Sequence, residues 1–214
     1  MLKSGNAYSI FPYLVYDNYN ELAAYLGVLI FLSVMIVVTP LYLNDRKNNV
    51  NLLQYTSKAG RTVFLKKFIA AFIAVIGVIS IQLACFFYLY KGNNTGQFFS
   101  IKISSLYSSF ISWYDLTFFQ YIILTVICMY ILGIVVLSLV AFISRIAPNY
   151  MTNIGMQVPL AAILFWLGIE YFVQDITSLY LPKYFLVISL IVLLGISVFI
   201  FMLRWRKERM IDIQ

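Results

Sequence analysis

The sequence predicts an all-α fold: a polytopic bundle of transmembrane helices, five spans visible, with a short cytoplasmic helix between the first two. Three observations predict it. The 214 residues are 63% hydrophobic and 11% charged, whereas a soluble domain is about half apolar and a quarter charged. Runs of about twenty apolar residues recur along the chain, each long enough to cross a bilayer. And one stretch, residues 44–67 (NDRKNNVNLLQYTSKAGRTVFLKK), breaks that pattern with Arg46, Lys47, Lys58, Arg61, Lys66 and Lys67 against the single acid Asp45. A charge at the centre of a span costs roughly 2.5–3.5 kcal/mol, so this stretch lies outside the hydrocarbon. The length fills a single transmembrane domain over 1–214 and leaves no room for a separate soluble one.

Taken in order, residues 1–21 are rich in tyrosine and read as an interfacial segment, since Tyr rings favour the headgroup level. The first span covers 22–43, with Pro40 near its inner end, where a helix tolerates or terminates at proline. Residues 44–62 form the cytoplasmic insert. Asn44 and Asp45 are good N-cap residues and Gly60 a good stop, so a short helix is expected between them. Its wheel places Val50, Leu53 and Ser57 on one face and Leu52 and Tyr55 on another. Two apolar stripes on a short basic helix suit a rod held between headgroups and a second protein better than a solvated loop.

The second span covers 63–90. Lys66 and Lys67 stand at its start, where the helix dipole disfavours cations by roughly 0.3–1 kcal/mol each. An anionic inner leaflet attracts each by about 1 kcal/mol, which matches or exceeds that penalty. Residues 91–115 open with the turn cluster Gly92-Asn93-Asn94-Thr95-Gly96, continue with aromatics among serines, and read as a segment lying at the outer surface. The third span covers 116–143, the turn SRIAPNYMTN follows, and the fourth span covers 155–173. A brief outer connection then leads to a fifth span over 184–203 and the basic tail RWRKERMIDIQ.

Alternation places the insert, Arg145 and the tail on one side. These regions hold eleven of the fifteen Lys and Arg, leaving Lys3, Lys91, Lys102 and Lys183 outside. That is the positive-inside pattern. It makes the net charge of +7 a membrane property rather than a nucleic-acid footprint, and no nucleic-acid partner is expected.

Catalytic chemistry is nearly absent. Histidine is missing, which removes most metal and acid–base sites; no metal site and no catalytic residues are expected. No GxxxxGK(S/T) loop is present, so the chain does not bind ATP in that way. Cys85 and Cys128 sit in apolar runs and read as small core or lipid-facing side chains. Gln82 and Gln120 are expected as helix–helix glue or interfacial groups. Glu170 is the one acid within a span, hence a candidate for a translocation path. It lies about a turn from the outer end, where snorkelling is the competing expectation.

The stretch L-L-Q-Y-T-S-K-A-G-R (52–61), followed by Lys66 and Lys67 entering a span, resembles the inner loop of type-2 ABC exporter permeases. Leu52, Leu53, Ser57, Gly60, Arg61 and Lys67 are the matching positions. In that family the short helix is a coupling helix that docks on a cytoplasmic ATPase, and the turn before the fourth span is similar to a second, smaller inner contact. The resemblance covers the topology of nearly the whole chain, but its motif only about fifteen residues. The family has six spans and an inner N-terminus; five are visible here, so the expectation is that one precedes residue 1.

The resemblance implies a membrane permease subunit of an ABC exporter in a bacterial plasma membrane. Its partners would be a cytoplasmic ABC ATPase, a second permease copy and membrane lipid. It would have no cofactor of its own, since ATP would be bound and hydrolysed by the partner. The ATPase-coupling residues would be Val50, Leu52, Leu53, Tyr55, Ser57, Gly60, Arg61 and Lys67. Peptide, antibiotic and lipid substrates are all open. The alternative is a non-transporting immunity or signalling module that binds a partner without ATP; an intramembrane enzyme finds no catalytic groups to work with.

Overall fold

The computed structural model describes residues 14–48, 63–106, 113–174, 176, 178 and 180–210. Among them the chain is all-α, without a named strand. Five helices are long and apolar enough to cross a membrane, and the chain is a multi-pass membrane protein. They are α1 (Leu14–Lys47), α2 (Val63–Tyr90), α3 (Phe118–Ile146), α4 (Tyr150–Gln174) and α5 (Phe185–Met210).

Successive helices run up and down. At one end Asp45 of α1 pairs with Lys67 of α2, Tyr150 of α4 reaches Asn44 at 2.7 Å, and Phe64 and Phe68 of α2 meet Phe201 of α5 at 5.9 and 4.3 Å between centroids. Arg145, Arg204 and Arg206 belong to this end too, which we call the basic end. At the other, aromatic end, Tyr19 packs against Tyr90 and Phe118, each at 5.6 Å between centroids. Trp113 Nε1 donates to the Leu181 carbonyl at 2.6 Å, and the Tyr114 hydroxyl donates to the Lys183 carbonyl at 2.7 Å.

α1 and α3 form the centre. Half or more of their most apolar stretch is buried (50% and 56%), against 22%, 28% and 6% for α2, α4 and α5. Ile30, Val34 and Val38 from α1, Val75 and Ile79 from α2, and Leu132, Val136 and Leu137 from α3 build the core. Gly133 lets α2 approach α3: a Cβ there would stand 2.5 Å from the Ile79 Cδ1. Polar side chains add cross-links. Gln82 Nε2 donates to Ser33 Oγ at 2.6 Å, Ser197 Oγ to Ser138 Oγ at 2.6 Å, and Ser80 shares a 2.8 Å hydrogen bond with Tyr130. In hydrocarbon such bonds fix which helix faces meet.

The ends of the central helices follow from their sequence. Thr117 and Gln120 make a reciprocal capping box at the start of α3, satisfying two otherwise orphaned donors. Ala147 is extended, with φ −59° and ψ 129°, as expected of a residue before proline. Asn149 Oδ1 then caps α4 by accepting from Thr152 N at 2.8 Å.

Four helix ends differ from the sequence expectation by more than three residues. α5 runs to Met210 rather than 203, so that the start of the basic tail is helical. α1 begins at Leu14 rather than 22; within the stretch read as interfacial, Tyr19 is 1% exposed, because Phe86, Tyr90, Phe118 and Tyr121 surround its ring. α1 also continues through Asn44 and Asp45 to Lys47, so these two residues do not cap a new helix. α4 starts at Tyr150 rather than 155, because the Asn149 cap forms immediately after Pro148.

Residues 91–106 fold at the aromatic end into two 3₁₀ turns, Lys91–Asn93 and Thr95–Phe98, joined by left-handed Asn94 (φ 52°), and a one-turn helix, Ile103–Leu106. An antiparallel bridge joins Lys102 to Thr117, and Lys102 pairs with Asp115.

Candidate functional site

Two residues fix the geometry of the basic end. Lys67 Nζ makes an ion pair with Asp45 and donates to the Leu41 carbonyl at 3.4 Å. Each charge sits at the wrong end of its own helix: Asp45 near the negative C-terminus of α1, Lys67 near the positive N-terminus of α2. Pairing offsets both penalties. The side chains are only 15% and 23% exposed, so solvent and salt screen the attraction less than at an open surface. The result is a joint that ties the C-terminal end of α1 to the N-terminal end of α2.

Beside the joint runs a buried polar strip from α1, α3 and α4. Gln157 Nε2 lies 3.0 Å from Thr39 Oγ1, 3.3 Å from Ser144 Oγ and 3.3 Å from Asn153 Oδ1. Asn153 is fully buried and its amide nitrogen has no hydrogen-bond partner among the described residues. Arg145, 9% exposed, ends α3 at the same level, where a cation complements the carbonyl end of the helix.

Of the sequence-predicted coupling residues, Lys67 is the one the structure describes. Val50, Leu52, Leu53, Tyr55, Ser57, Gly60 and Arg61 lie outside the described residues. Glu170 is placed far from Lys67, near the aromatic end of α4. It is half-buried and has no ion-pair partner among the described residues. The structure therefore does not bring Glu170 and the Asp45–Lys67 joint together: they occupy opposite ends of the bundle.

The sequence reading missed the backbone around Glu170. Two π-helical stretches, Leu164–Gly168 and Glu170–Gln174, follow Pro159 in α4. The carbonyls at the end of the second stretch lack partners in their own helix, and side chains from α1 and α3 supply them. The Tyr121 hydroxyl contacts the carbonyls of Gln174 at 3.0 Å and Val173 at 3.2 Å, and donates to Asn20 Oδ1 at 2.8 Å. Asn20 Nδ2 and the Tyr16 hydroxyl reach Gln174 O at 3.4 and 3.5 Å. Pro159 within an apolar run was the available signal; the Tyr16/Asn20 pair at i, i+4 spacing was another, but its partner lies about a hundred residues away.

Cys128 is buried in the core and Cys85 faces outward, neither in a disulfide. Among the described residues no group of three or more His, Cys, Asp or Glu is placed to hold a metal. No protein-family model, curated protein or solved structure matches the chain.

Proposed function

We propose that the chain is the permease subunit of an ABC-type exporter in the bacterial plasma membrane, driven by a separate cytoplasmic ATPase and working with a second permease copy. The observation that carries this reading is the Asp45–Lys67 joint around the basic insert. A push on residues 49–62 through a docked partner acts on α1 and α2 together. α1 is a central helix, packed on α2, α3 and the last π-helical stretch of α4, so its tilt moves the bundle rather than a loop. Closure of two ATPases would thereby switch access to a path between the permease copies. Leu53 and Tyr55 would anchor the docking, with Arg61 at the end of the coupling segment. The motif L-L-Q-Y-T-S-K-A-G-R and the collection of bases at the same end of the bundle support the same side for the motor.

The test is recovery of an ABC ATPase with the full chain from mild-detergent extracts of its own membranes. Leu53→Asp should abolish that association while membrane insertion is unchanged. Association that survives the substitution undiminished refutes the coupling assignment. Recovery of a partner that is not an ATPase favours an immunity or signalling module instead.

A further inference from the structure

The basic end of α1 is held differently on its two sides. Pro40 lies inside the helix. It has no N–H to give the Ile36 carbonyl one turn back, so the hydrogen-bond ladder is broken there and the backbone can bend. Beyond the break, residues 40–47 are fastened to α2 by the Asp45–Lys67 ion pair, by Lys67 on the Leu41 carbonyl, and by the Tyr42 ring against Phe64 at 6.0 Å between centroids. Toward α4 the ties are two neutral hydrogen bonds. Gln157 Nε2 donates to Thr39 Oγ1 at 3.0 Å beside the break, and the Tyr150 hydroxyl donates to Asn44 Oδ1 at 2.7 Å near the tip. On this side the tip also borders a groove of about 440 Å³, lined by Leu43 of α1 and by residues 148–151 at the start of α4.

The ties to α4 are also imperfectly satisfied. The Gln157 amide has two N–H protons for three acceptors, Thr39 Oγ1, Ser144 Oγ at 3.3 Å and Asn153 Oδ1 at 3.3 Å. Asn153 is fully buried, and its own Nδ2 has no hydrogen-bond partner among the described residues. An unmet buried donor costs at least as much as one net hydrogen bond contributes, and hydrogen bonds between membrane helices are modest. The two bonds that close α1 on α4 are therefore nearly offset by the unmet amide they seal from water. A near balance of this kind is what a two-position element needs.

We propose that residues 40–47 form a hinged arm, which turns about Pro40, keeps its hold on α2 and parts from α4. The Thr39–Gln157 and Asn44–Tyr150 hydrogen bonds are the latch of its closed position. Opening widens the groove at residues 148–151 and admits water from the basic end to Asn153. The arm rests on contacts within this chain and does not depend on the exporter reading.

The test is pulsed dipolar EPR on the full chain in lipid nanodiscs, with Cys85 and Cys128 replaced by Ala. Spin labels go on Asn48→Cys and Ile154→Cys, both exposed positions. The distance distribution should hold a short component and a longer one. Thr39→Val and Tyr150→Phe keep their shapes and remove one latch bond each. Each should raise the ratio of long to short about threefold, the average effect of one hydrogen bond between membrane helices. Pro40→Ala returns the missing N–H and should suppress the long component in both of those backgrounds. In the Tyr150→Phe background, Asn153→Ala should lower the ratio, because it removes the unmet donor and leaves two acceptors for the two Gln157 protons. A second label pair at the aromatic end, on the exposed Leu14 and Tyr184, should not change. A distribution that neither Thr39→Val nor Tyr150→Phe alters overturns the arm. So does a long component that survives Pro40→Ala, or one that Asn153→Ala raises as the latch substitutions do. A parallel shift of the aromatic-end pair is general loosening and refutes the hinge.

Discussion

Replacing Tyr121 with Phe tests whether α4 is held at its π-helical end by side chains of its neighbours. The ring is fully buried and keeps its volume in the substitution, so its contacts with Tyr16 and Tyr19 (centroids 5.1 and 6.0 Å) persist. What is lost is one hydroxyl. It has a single proton, shared among Asn20 Oδ1 at 2.8 Å, Gln174 O at 3.0 Å and Val173 O at 3.2 Å, and it lies 3.2 Å from the Tyr16 hydroxyl. Gln174 O retains its longer contacts to Asn20 and Tyr16; Val173 O loses its side-chain donor. One net hydrogen bond contributes about 0.5–1.5 kcal/mol, and interhelical hydrogen bonds in membranes reach about 1.7 kcal/mol at most. The orphaned carbonyl adds to this, so the expected loss is about 1–2 kcal/mol. Unfolding of the chain in mixed micelles by increasing sodium dodecyl sulfate reads it directly. Adding Asn20→Leu should cost less in the Tyr121→Phe background than alone, because the two share one network. A loss below about 0.3 kcal/mol, or strict additivity of the pair, would refute this account of the α4 terminus.

Two further outcomes are expected. Lys67→Met removes the Lys67 cation from the partly buried Asp45 carboxylate and should destabilise the bundle by about 1–3 kcal/mol, between the values for exposed and buried pairs. Asp45→Asn in the same chain should restore most of the melting temperature in detergent, and under the exporter reading both variants keep the ATPase but lose substrate efflux. Gly133→Ala forces its new methyl against the Ile79 Cδ1 and should cost about 1–3 kcal/mol by overpacking. Ile79→Val removes that atom and should recover at least about 1 kcal/mol, read as a coupling energy in the same unfolding assay.

The count of spans and their alternation were legible in the sequence because both rest on hydrocarbon run length and on where Lys and Arg collect. Boundaries were less so. Asn44 and Asp45 have side chains that cap helices, but at the end of α1 the pairing of Asp45 with Lys67, some twenty residues on, lets the helix continue through them. Tyr19 belongs to a residue type favoured at interfaces, yet four aromatic rings from α2 and α3 bury it. The π-helical turns were not legible, because apolar periodicity over a few residues does not separate 3.6 residues per turn from a wider winding. For the candidate site, Lys67 was named as part of a docking motif; that it joins α1 to α2 depends on a partner no local pattern announces. Sequence reading places Asn153 in the turn before the fourth span and does not single out Gln157; their four-residue spacing puts both on one face of α4, but nothing local announces Thr39 and Ser144 opposite Gln157.

The last helix touches the rest of the molecule along a single stripe. Phe201 meets α2 and Ser197 meets α3, while most of its central stretch contributes nothing to the interior. The mutual packing of the two central helices is complete in a chain that stops at residue 146. A nascent polypeptide can therefore bring α1, α2 and α3 together in the bilayer before α5, which adds Leu186 and Leu190 to the core, leaves the ribosome. That span arrives late at a surface already formed, and Ser197 supplies the mark by which it finds its rotational setting against Ser138.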